Sequence, residues 1–394
     1  MTRKAYKYRL YPTRKQEHKL FWTLARCREL YNAALSERKD AYKYAGKSIS
    51  YYEQKRDLPE IKAEIREEYQ DIYSQVLQDV LLRLKKSFDA FFRRIENGEK
   101  PGYPRFQGRN RYNSFTYPQA GGFSLTHDGR VCFSKLGSIK VKLHRELQGT
   151  VKTATIKHEA GQWYVIFLCE VEQPEPLPMI EREVGIDLGI THFAALSDGT
   201  FIESPRYYRK AQKHLEKLQQ ALSRKKRGSH RRNKAKQAIA KTHRKIANQR
   251  RDFQHKTSTL LVSKHQTIVF EQLEITNLTK RAKPKLDENG TYLPNGASAK
   301  SSLTKSILDA GWASFQQIVV SKAGYAGRTV LFVNPKYTSQ ICSQCGTVRK
   351  KSLEERWHSC DCGCELDRDT NAAINILWAG RVQRGATRVE APPL

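Results

Sequence analysis

The chain opens on alternation. Tyr6, Tyr8 and Leu10 alternate with Lys7 and Arg9, the two-residue period of a strand, and Pro12 ends it. Thr13 and Gln16 then form a capping-box pattern. Leu20, Leu24, Cys27, Tyr31 and Ala34 follow at helical spacing and line one face. A second helical stretch, from about Asp71 to Arg94, carries Leu77, Val80, Leu81, Leu84, Phe88 and Phe91. Residues 13–98 are therefore predicted to form a small helical domain. From about Pro101 to Val171 the period returns to two. Ile139, Val141 and Leu143 alternate with lysines and His144, Trp163 to Cys169 reads as a buried strand, and His127-Asp128-Gly129 reads as a hairpin turn. This stretch is predicted to be a β-barrel that uses the first strand and carries the helices as an insertion. Pro174-Glu175-Pro176-Leu177-Pro178 is a stiff linker and a predicted domain boundary.

Beyond the linker, Val184-Gly185-Ile186-Asp187-Leu188-Gly189-Ile190, then Phe193 to Leu196 and Ser197-Asp198-Gly199, predict strand, turn and strand. A long helical hairpin comes next. Leu215, Leu218 and Leu222 mark its first arm, and Gly228-Ser229 turns it. Ile239, Ile246, Phe253 and Leu260 recur every seven residues along the second arm. Thr267 to Glu271 reads as a strand. Residues 281–304, rich in Lys, Pro, Gly, Asn and Ser, are predicted to be a mobile loop. A helix is expected from about Ser306, carrying Ile307, Leu308, Trp312, Phe315, Ile318 and Val319. A strand is expected at Thr329 to Val333, and a last helix from about Thr370 to Trp378. The end of the chain, within 381–394, is predicted to be a disordered tail.

Charge adds a partner to this picture. The 394 residues hold 71 Lys and Arg against 40 Asp and Glu, a net charge of +31, which calls for a polyanion to offset self-repulsion. Between Arg206 and Lys256 there are 19 Lys and Arg against two acids, a net of +17. A merely solvated face mixes its signs. This one does not, and Arg224, Lys225, Lys226, Arg227, Arg231 and Arg232 crowd the turn, so the hairpin is predicted to bind a nucleic-acid backbone. No run of 18 apolar residues predicts a membrane span, and the basic N-terminus lacks the apolar core of a secretory signal. The expected location is the cytoplasm.

Five of the eight cysteines crowd between positions 342 and 364. In a reducing compartment that pattern reads as metal ligation. Cys342-Ser343-Gln344-Cys345-Gly346 is a C-x-x-C knuckle, and Cys360-Asp361-Cys362-Gly363-Cys364 supplies the second pair. Two close pairs about fifteen residues apart predict a zinc ribbon, with four thiolates closing a structural Zn²⁺ site. Cys360 has either Cys362 or Cys364 as its partner. Cys362 is preferred because a glycine follows it, as one follows Cys345, and His358 is an outside candidate. The second constellation is carboxylates at element ends. Asp187 interrupts an apolar strand, where a lone charge is costly unless it is paired or binds a cation. Glu271 ends another strand. Asp369 opens a helix, where an N-cap is the plainer role, and Asp367 is the alternative cap. Three such carboxylates at one sheet edge would suit two Mg²⁺ ions and phosphodiester hydrolysis.

Gly185-Ile186-Asp187-Leu188-Gly189 with Glu271, and Asp367-Arg368-Asp369-Thr370-Asn371-Ala372-Ala373 directly behind the cysteines, resemble the TnpB proteins of bacterial insertion sequences, relatives of the type V CRISPR effectors. Ser74-Gln75-Val76-Leu77-Gln78-Asp79, Asp252-Phe253-Gln254-His255-Lys256, Asp309-Ala310-Gly311-Trp312 and Tyr337-Thr338-Ser339-Gln340 extend the resemblance, in the same order, over essentially the whole chain. It implies a multidomain α+β protein. A wedge β-barrel (1–12 and 99–175) would carry an inserted helical recognition lobe (13–98). A RuvC nuclease domain of RNase H-like α/β fold would follow (181–335, with the basic hairpin at 206–262), then an inserted zinc ribbon (336–366) and a final RuvC segment (367–380).

The function implied is RNA-guided cleavage of double-stranded DNA beside a short transposon-adjacent motif, with a guide RNA from the transposon end. The cytoplasm expected is that of a bacterium or archaeon, with the protein nucleoid-associated, and a monomer is the favoured state. Carried over by position, Asp187, Glu271 and Asp369 would be the catalytic, magnesium-binding acids. Asp369 is chosen over Asp367 because it sits two before Asn371, and Glu274 is the rival of Glu271. Tyr51, Ser74, Gln75, Gln78 and Thr116 fall in regions that face the flanking DNA motif in such proteins. The C-x-C spacing at Cys360 is one residue shorter than the family's common second knuckle. A guide-directed repressor without cleavage, and a recombinase, are the alternatives. Loss of an acid would have favoured the repressor, and all three acids are present.

Overall fold

Tyr6, Tyr8 and Leu10 are each only 1% exposed, along β1 (Thr2–Tyr11), because alternation turns them all toward one core while Lys7 and Arg9 face outward. The computed structural model describes residues 2–352 and 354–385, and the chain divides into two compact units at Gln173 and Pro174.

In the first unit, β1 pairs antiparallel with β5 (Gly137–Lys142) and β7 (Gln162–Val171). With β2 (Ser114–Tyr117), β3 (Phe123–Thr126), β4 (Arg130–Phe133) and β6 (Thr150–Glu159) they form one seven-stranded sheet, ordered β2-β6-β7-β1-β5-β4-β3. The hairpin expected at His127-Asp128-Gly129 joins β3 to β4, with Gly129 at a φ of 71°. The predicted barrel is a curled sheet: among the described residues no ladder joins the edge strands β2 and β3. Side chains close the gap instead. The Tyr117 hydroxyl donates to the Ser134 carbonyl, and the Tyr117 and Phe133 rings stand 5.1 Å apart.

Helix α1 (Arg14–Ala45) starts at the Thr13 capping box and buries Leu20, Leu24, Cys27, Tyr31 and Ala34. After α2 (Tyr51–Arg56), α3 (Ser74–Glu96) buries Val76, Leu77, Val80, Leu81 and Leu84, beginning slightly later than the pattern suggested. These helices have no core of their own. Their apolar faces join the sheet's inner face in one continuous cluster.

The second unit is built on a five-stranded sheet ordered β10-β9-β8-β11-β12. Its strands are β8 (Glu183–Asp187), β9 (His192–Leu196), β10 (Phe201–Glu203), β11 (Thr267–Glu271) and β12 (Thr329–Val333). β8 and β12 run parallel to β11, β9 runs antiparallel to β8, and β10 runs antiparallel to β9. Both faces of β8 and β11 are covered, which is why these strands read as nearly unbroken apolar runs. Ile186, Phe270 and Ile268 join a cluster with helix α7 (Trp312–Ala326) and the end of α5 (His230–Lys264). Val269 faces the other way, into a cluster with Val333 and with Ile376 of the last helix, α8 (Arg368–Gln383).

Two expectations are corrected here. The predicted loop 281–304 contains a short strand pair, Lys285–Leu286 with Tyr292–Leu293, and helix α6 (Ala297–Ala310), which starts well before Ser306. Its early turns are polar and largely exposed, so no apolar period marked them. The last helix runs through Gln383, past its expected end and into the predicted tail. The rest of that tail, 386–394, lies outside the described residues. In the basic hairpin, α4 (Tyr207–Ser223) buries Leu215, and α5 buries Ile246. Leu260, the last of the seven-residue series, is 49% exposed.

Candidate active site

Side-chain alternation along β8 puts Gly185 and Asp187 on one face, and along β11 it puts Val269 and Glu271 on the same face. Phe270 pairs with Ile186 across the parallel ladder, so Asp187 and Glu271 sit side by side at the carboxyl ends of adjacent strands. Helix α8 lies across that face. Gly185 permits this approach: a Cβ there would stand 2.0 Å from the Ala373 carbonyl oxygen and 2.6 Å from the Leu377 nitrogen. Gly380 does the same against Val269, where a Cβ would meet a methyl group at 2.6 Å. At the far end of the helix Arg381 donates to the Glu183 carboxylate at 2.7 Å and Arg384 donates to its other oxygen. The two guanidinium groups outweigh burial and hold Glu183 below the usual carboxylate range.

The first turn of α8 brings Asp369. Asp367 is the N-cap, its carboxylate accepting from the Asp369 nitrogen at 2.8 Å and from the Thr370 nitrogen at 3.2 Å. The capping role is therefore filled by Asp367. Asp369 lies near enough for its charge to act on Asp187, and is flanked by Arg368 at 3.7 Å. Burial, then the charges of Glu271 and Asp369, push the Asp187 carboxyl up to about 8, against a smaller opposing pull from Arg368. Burial also raises Glu271, although the Thr338 hydroxyl donates to it and lowers it. The exposed Glu274 lies beyond the strand end and accepts from the Asn277 side chain.

A buried carboxyl pushed up beside other acids, as Asp187 is, is one whose negative form a cation would stabilise. Hard oxygen donors of this kind suit magnesium. The spacing is open: among the described residues, only cysteine and histidine groups bring three ligand atoms within 4.8 Å of one another.

Those groups lie in the ribbon next to α8. The sulfurs of Cys342, Cys345, Cys360 and Cys362 form one cluster, with Cys342 and Cys362 3.7 Å apart and Cys345 and Cys360 3.6 Å apart. Each knuckle turns on a glycine in the left-handed region, Gly346 at φ 79° and Gly363 at φ 86°, which a side chain would oppose. β13 (Trp357–Ser359) and β14 (Glu365–Asp367) close the second knuckle. Cys364 turns instead toward a buried group with Cys342 and His358. Four sulfurs at such distances match a tetrahedral zinc site. We expect about one zinc per chain by elemental analysis. Cys362→Ser should lose it, whereas Cys364→Ser and the distant, buried Cys27→Ser should keep it. Zinc retained by Cys362→Ser but lost by Cys364→Ser would reverse the assignment.

The ribbon is tied to the carboxylates by amides to which the sequence assigned no role. Asn371, fully buried on α8, donates to the Ile341 carbonyl at 2.7 Å and accepts from the Ser343 nitrogen at 3.0 Å. Asn375 donates to the carbonyls of Thr338 and Ile341 at 2.8 and 2.7 Å. The first knuckle thus rests on the helix that carries Asp369, and Thr338 just before it touches Glu271. The available signal was the Thr338 stretch itself, which the sequence marked without a role.

Other motif stretches prove to be joints. Gln254 of α5 donates to the Gly311 carbonyl and to the Ser314 hydroxyl, both at 3.0 Å, between α6 and α7. Asp309 accepts from the Tyr208 nitrogen at 3.0 Å, capping α4, and from Arg250 at 3.0 Å. At the hairpin turn, Arg232 donates to the carbonyls of Leu222 and Lys225 at 2.9 and 2.8 Å, holding the turn together. Arg224, Lys226, Arg227 and Arg231 are exposed, and Lys225 is half-buried.

In the first unit, Ser74 and Gln75 open α3. Ser74 accepts from Lys62 at 2.7 Å, and Gln75 donates to Gln119 at 2.6 Å. Gln78 lies one turn on and is half-buried, as is Tyr51, whose ring meets Tyr52 edge-on at 5.3 Å. Thr116 is occupied inside the sheet: its hydroxyl accepts from Arg83 at 2.6 Å and bonds Thr155 at 2.8 Å.

Three family models match the chain: one described as "Probable transposase" over residues 166–282, the "Cas12f1-like, TNB domain" over 312–376, and a "Helix-turn-helix domain" over 1–47. The last region holds one strand and a single long helix rather than two helices about a turn. The chain is 35% identical over 380 residues to the Escherichia coli K12 protein "Putative RNA-guided DNA endonuclease InsQ", covering 95% of this chain and 92% of that protein. It is 33% identical over 385 residues to a "Putative RNA-guided DNA endonuclease" of Streptomyces pristinaespiralis, covering 96% and 89%. Its fold is similar to that of Cas12f1 in a solved complex with guide RNA and target DNA. The TM-score is 0.56 at 13% identity, over 95% of this chain and 98% of that one.

Proposed function

The chain belongs to the TnpB family of insertion-sequence-encoded RNA-guided endonucleases, and from that membership we propose that it cuts double-stranded DNA selected by a guide RNA beside a short flanking motif. The observation that carries this reading is that Asp187 lies beside Glu271 and Asp369 at one sheet edge, pushed up to about 8 by burial and then by the charges of those two acids. The sheet order supports a RuvC nuclease domain of RNase H-like fold, with the curled sheet and its helices as wedge and recognition lobe. Asp187, Glu271 and Asp369 would hold magnesium, which when bound supplies an activated water and stabilises the leaving oxygen. Thr338 orients the Glu271 carboxylate, and Asn371 and Asn375 seat α8 against the ribbon, so a zinc-filled ribbon keeps Asp369 in register. Ser74, Gln75, Gln78 and Tyr51 are the residues proposed to face the flanking motif, with Thr116 bracing Arg83 behind them.

The basic hairpin is proposed to bind nucleic-acid backbone. Guide-RNA affinity is expected to fall about a thousandfold between 50 and 200 mM salt. Replacing Arg224, Lys225, Lys226 and Arg227 together by alanine should lower the logarithmic salt slope by about three, while Arg232→Ala should mainly lower the melting temperature. An unchanged slope in the quadruple variant would remove the hairpin from the interface.

The test of the function is purification with co-expressed RNA, followed by challenge with target plasmid and Mg²⁺. Guide-dependent linear product is the expected result. Tight target binding without cuts would make the protein a guide-directed repressor, and joined strands would make it a recombinase.

A further inference from the structure

The nuclease unit holds a cavity of about 360 Å³ at the base of the basic hairpin, within the size range of small-ligand pockets. Arg206 and Arg209 reach it from the start of α4, Arg250 and Phe253 from α5, Ile190 from the turn after β8, and Asp309 from the end of α6. Three guanidinium groups face one carboxylate, and Asp309 is already occupied by Arg250 and by the first amides of α4. The surplus is therefore positive. Arg209 is braced by Ser302 and Ser306 at 2.8 to 3.0 Å. Arg206 is exposed, with one long contact, 3.4 Å, to the Thr191 carbonyl. Its backbone sits in the left-handed region, φ 49° and ψ 45°, which costs a non-glycine residue energy and recurs at functional positions. Ile190 and Phe253 add an apolar wall.

A fixed cationic rim beside an aromatic wall is suited to one chemistry: a phosphate joined to a flat base. Position points to its source. Ile190 lies three residues beyond Asp187, in the turn at the same end of β8, but packs on the α5 side of the sheet. We propose that the cavity holds one nucleotide of the DNA strand delivered to the acids. Arg206 and Arg209 would take its phosphate, and its base would lie against Phe253. This rests on the nuclease reading above.

The test uses the full chain bound to its guide RNA, carrying Asp187→Asn so that the strand persists. The probe is a short fluorescent single-stranded oligodeoxythymidylate, titrated over a salt series. Arg206→Ala, and separately Ser204→Trp to fill the cavity, should each weaken binding about tenfold, and Arg206→Ala should reduce the salt slope by about one. Guide-RNA affinity should fall much less than oligonucleotide affinity, and the melting temperature should not change. An oligonucleotide carrying 5-iododeoxyuridine should crosslink to the peptide containing Phe253. Parent affinity and slope in both variants would overturn the proposal. So would an equal loss of guide binding, or deoxythymidine monophosphate competing as strongly as the oligonucleotide, which would mean a free-nucleotide site. Plasmid cleavage by the otherwise unaltered protein is scored separately. Its absence would sink the nuclease reading and leave the oligonucleotide result standing, while cleavage with unaltered oligonucleotide binding would sink only the cavity.

Discussion

Replacing Asp187 by alanine is expected to lower guide-directed cleavage at least about a thousandfold, with guide and target binding essentially unchanged. The size of the effect follows from the place of the residue. Asp187 is the carboxylate whose proton affinity rises most where β8, β11 and α8 meet, because burial and two neighbouring acids all oppose its charge. A cation binding there gains most from this side chain. Loss of cation-derived stabilisation is worth several kcal/mol of barrier, and each 1.36 kcal/mol is tenfold in rate. The fold should tolerate the change or gain from it, since a buried carboxyl whose ionisation its surroundings oppose is removed. Three measurements check this together: plasmid cleavage rate, target affinity by gel shift, and magnesium binding by calorimetry. Full cleavage by the variant would remove Asp187 from the site. Loss of cleavage together with loss of target binding would assign it a structural role instead.

Gly185→Ala is expected to cost about 3 kcal/mol or more of stability in the nuclease unit and to abolish cleavage as well. The added methyl would stand 2.0 Å from the Ala373 carbonyl oxygen. That atom belongs to the helix backbone and has no rotamer to escape into, so α8 must move or the strand must. Overpacking of this kind costs 1–3 kcal/mol even where side chains can yield. A shift of α8 carries Asp369 away from Asp187, so activity fails even in molecules that remain folded. For a unit of this size, each kcal/mol lowers the melting temperature by roughly 2–4 °C. A variant that melts within a degree or two of the parent and still cuts would show that α8 does not rest on β8.

Much of the arrangement could be read before any coordinates. The first strand and its buried tyrosines, the Thr13 cap, the faces of α1 and α3 and both knuckle glycines follow from local chemistry, and local chemistry is what a sequence displays. Other elements were illegible for definite reasons. The start of α6 is a polar helix with no apolar period. The curled sheet looks like a barrel in sequence, because alternation does not say whether two edge strands pair. Asp367 and Asp369 both suit the start of a helix, and only the bonds of the cap separate them. Thr116 looks like a displayed hydroxyl until Arg83 is seen against it.

What the sequence determined by itself is the set of chemical groups and the direction in which each leaves its own element. Alternation turns Asp187 with Gly185 and Glu271 with Val269, and the spacing of Cys342, Cys345, Cys360 and Cys362 makes the knuckles. What only the tertiary structure decided is which of these directions meet. Residues 187, 271 and 369 are brought together by a parallel ladder and by a helix lying across it, with Thr338 and Asn371 fastening the ribbon to both. Such meetings depend on long-range packing between elements far apart in the chain, and no local period encodes them. Gly185 is a place where the sequence bears on the crossing, since a glycine inside an apolar strand marks where another backbone comes close.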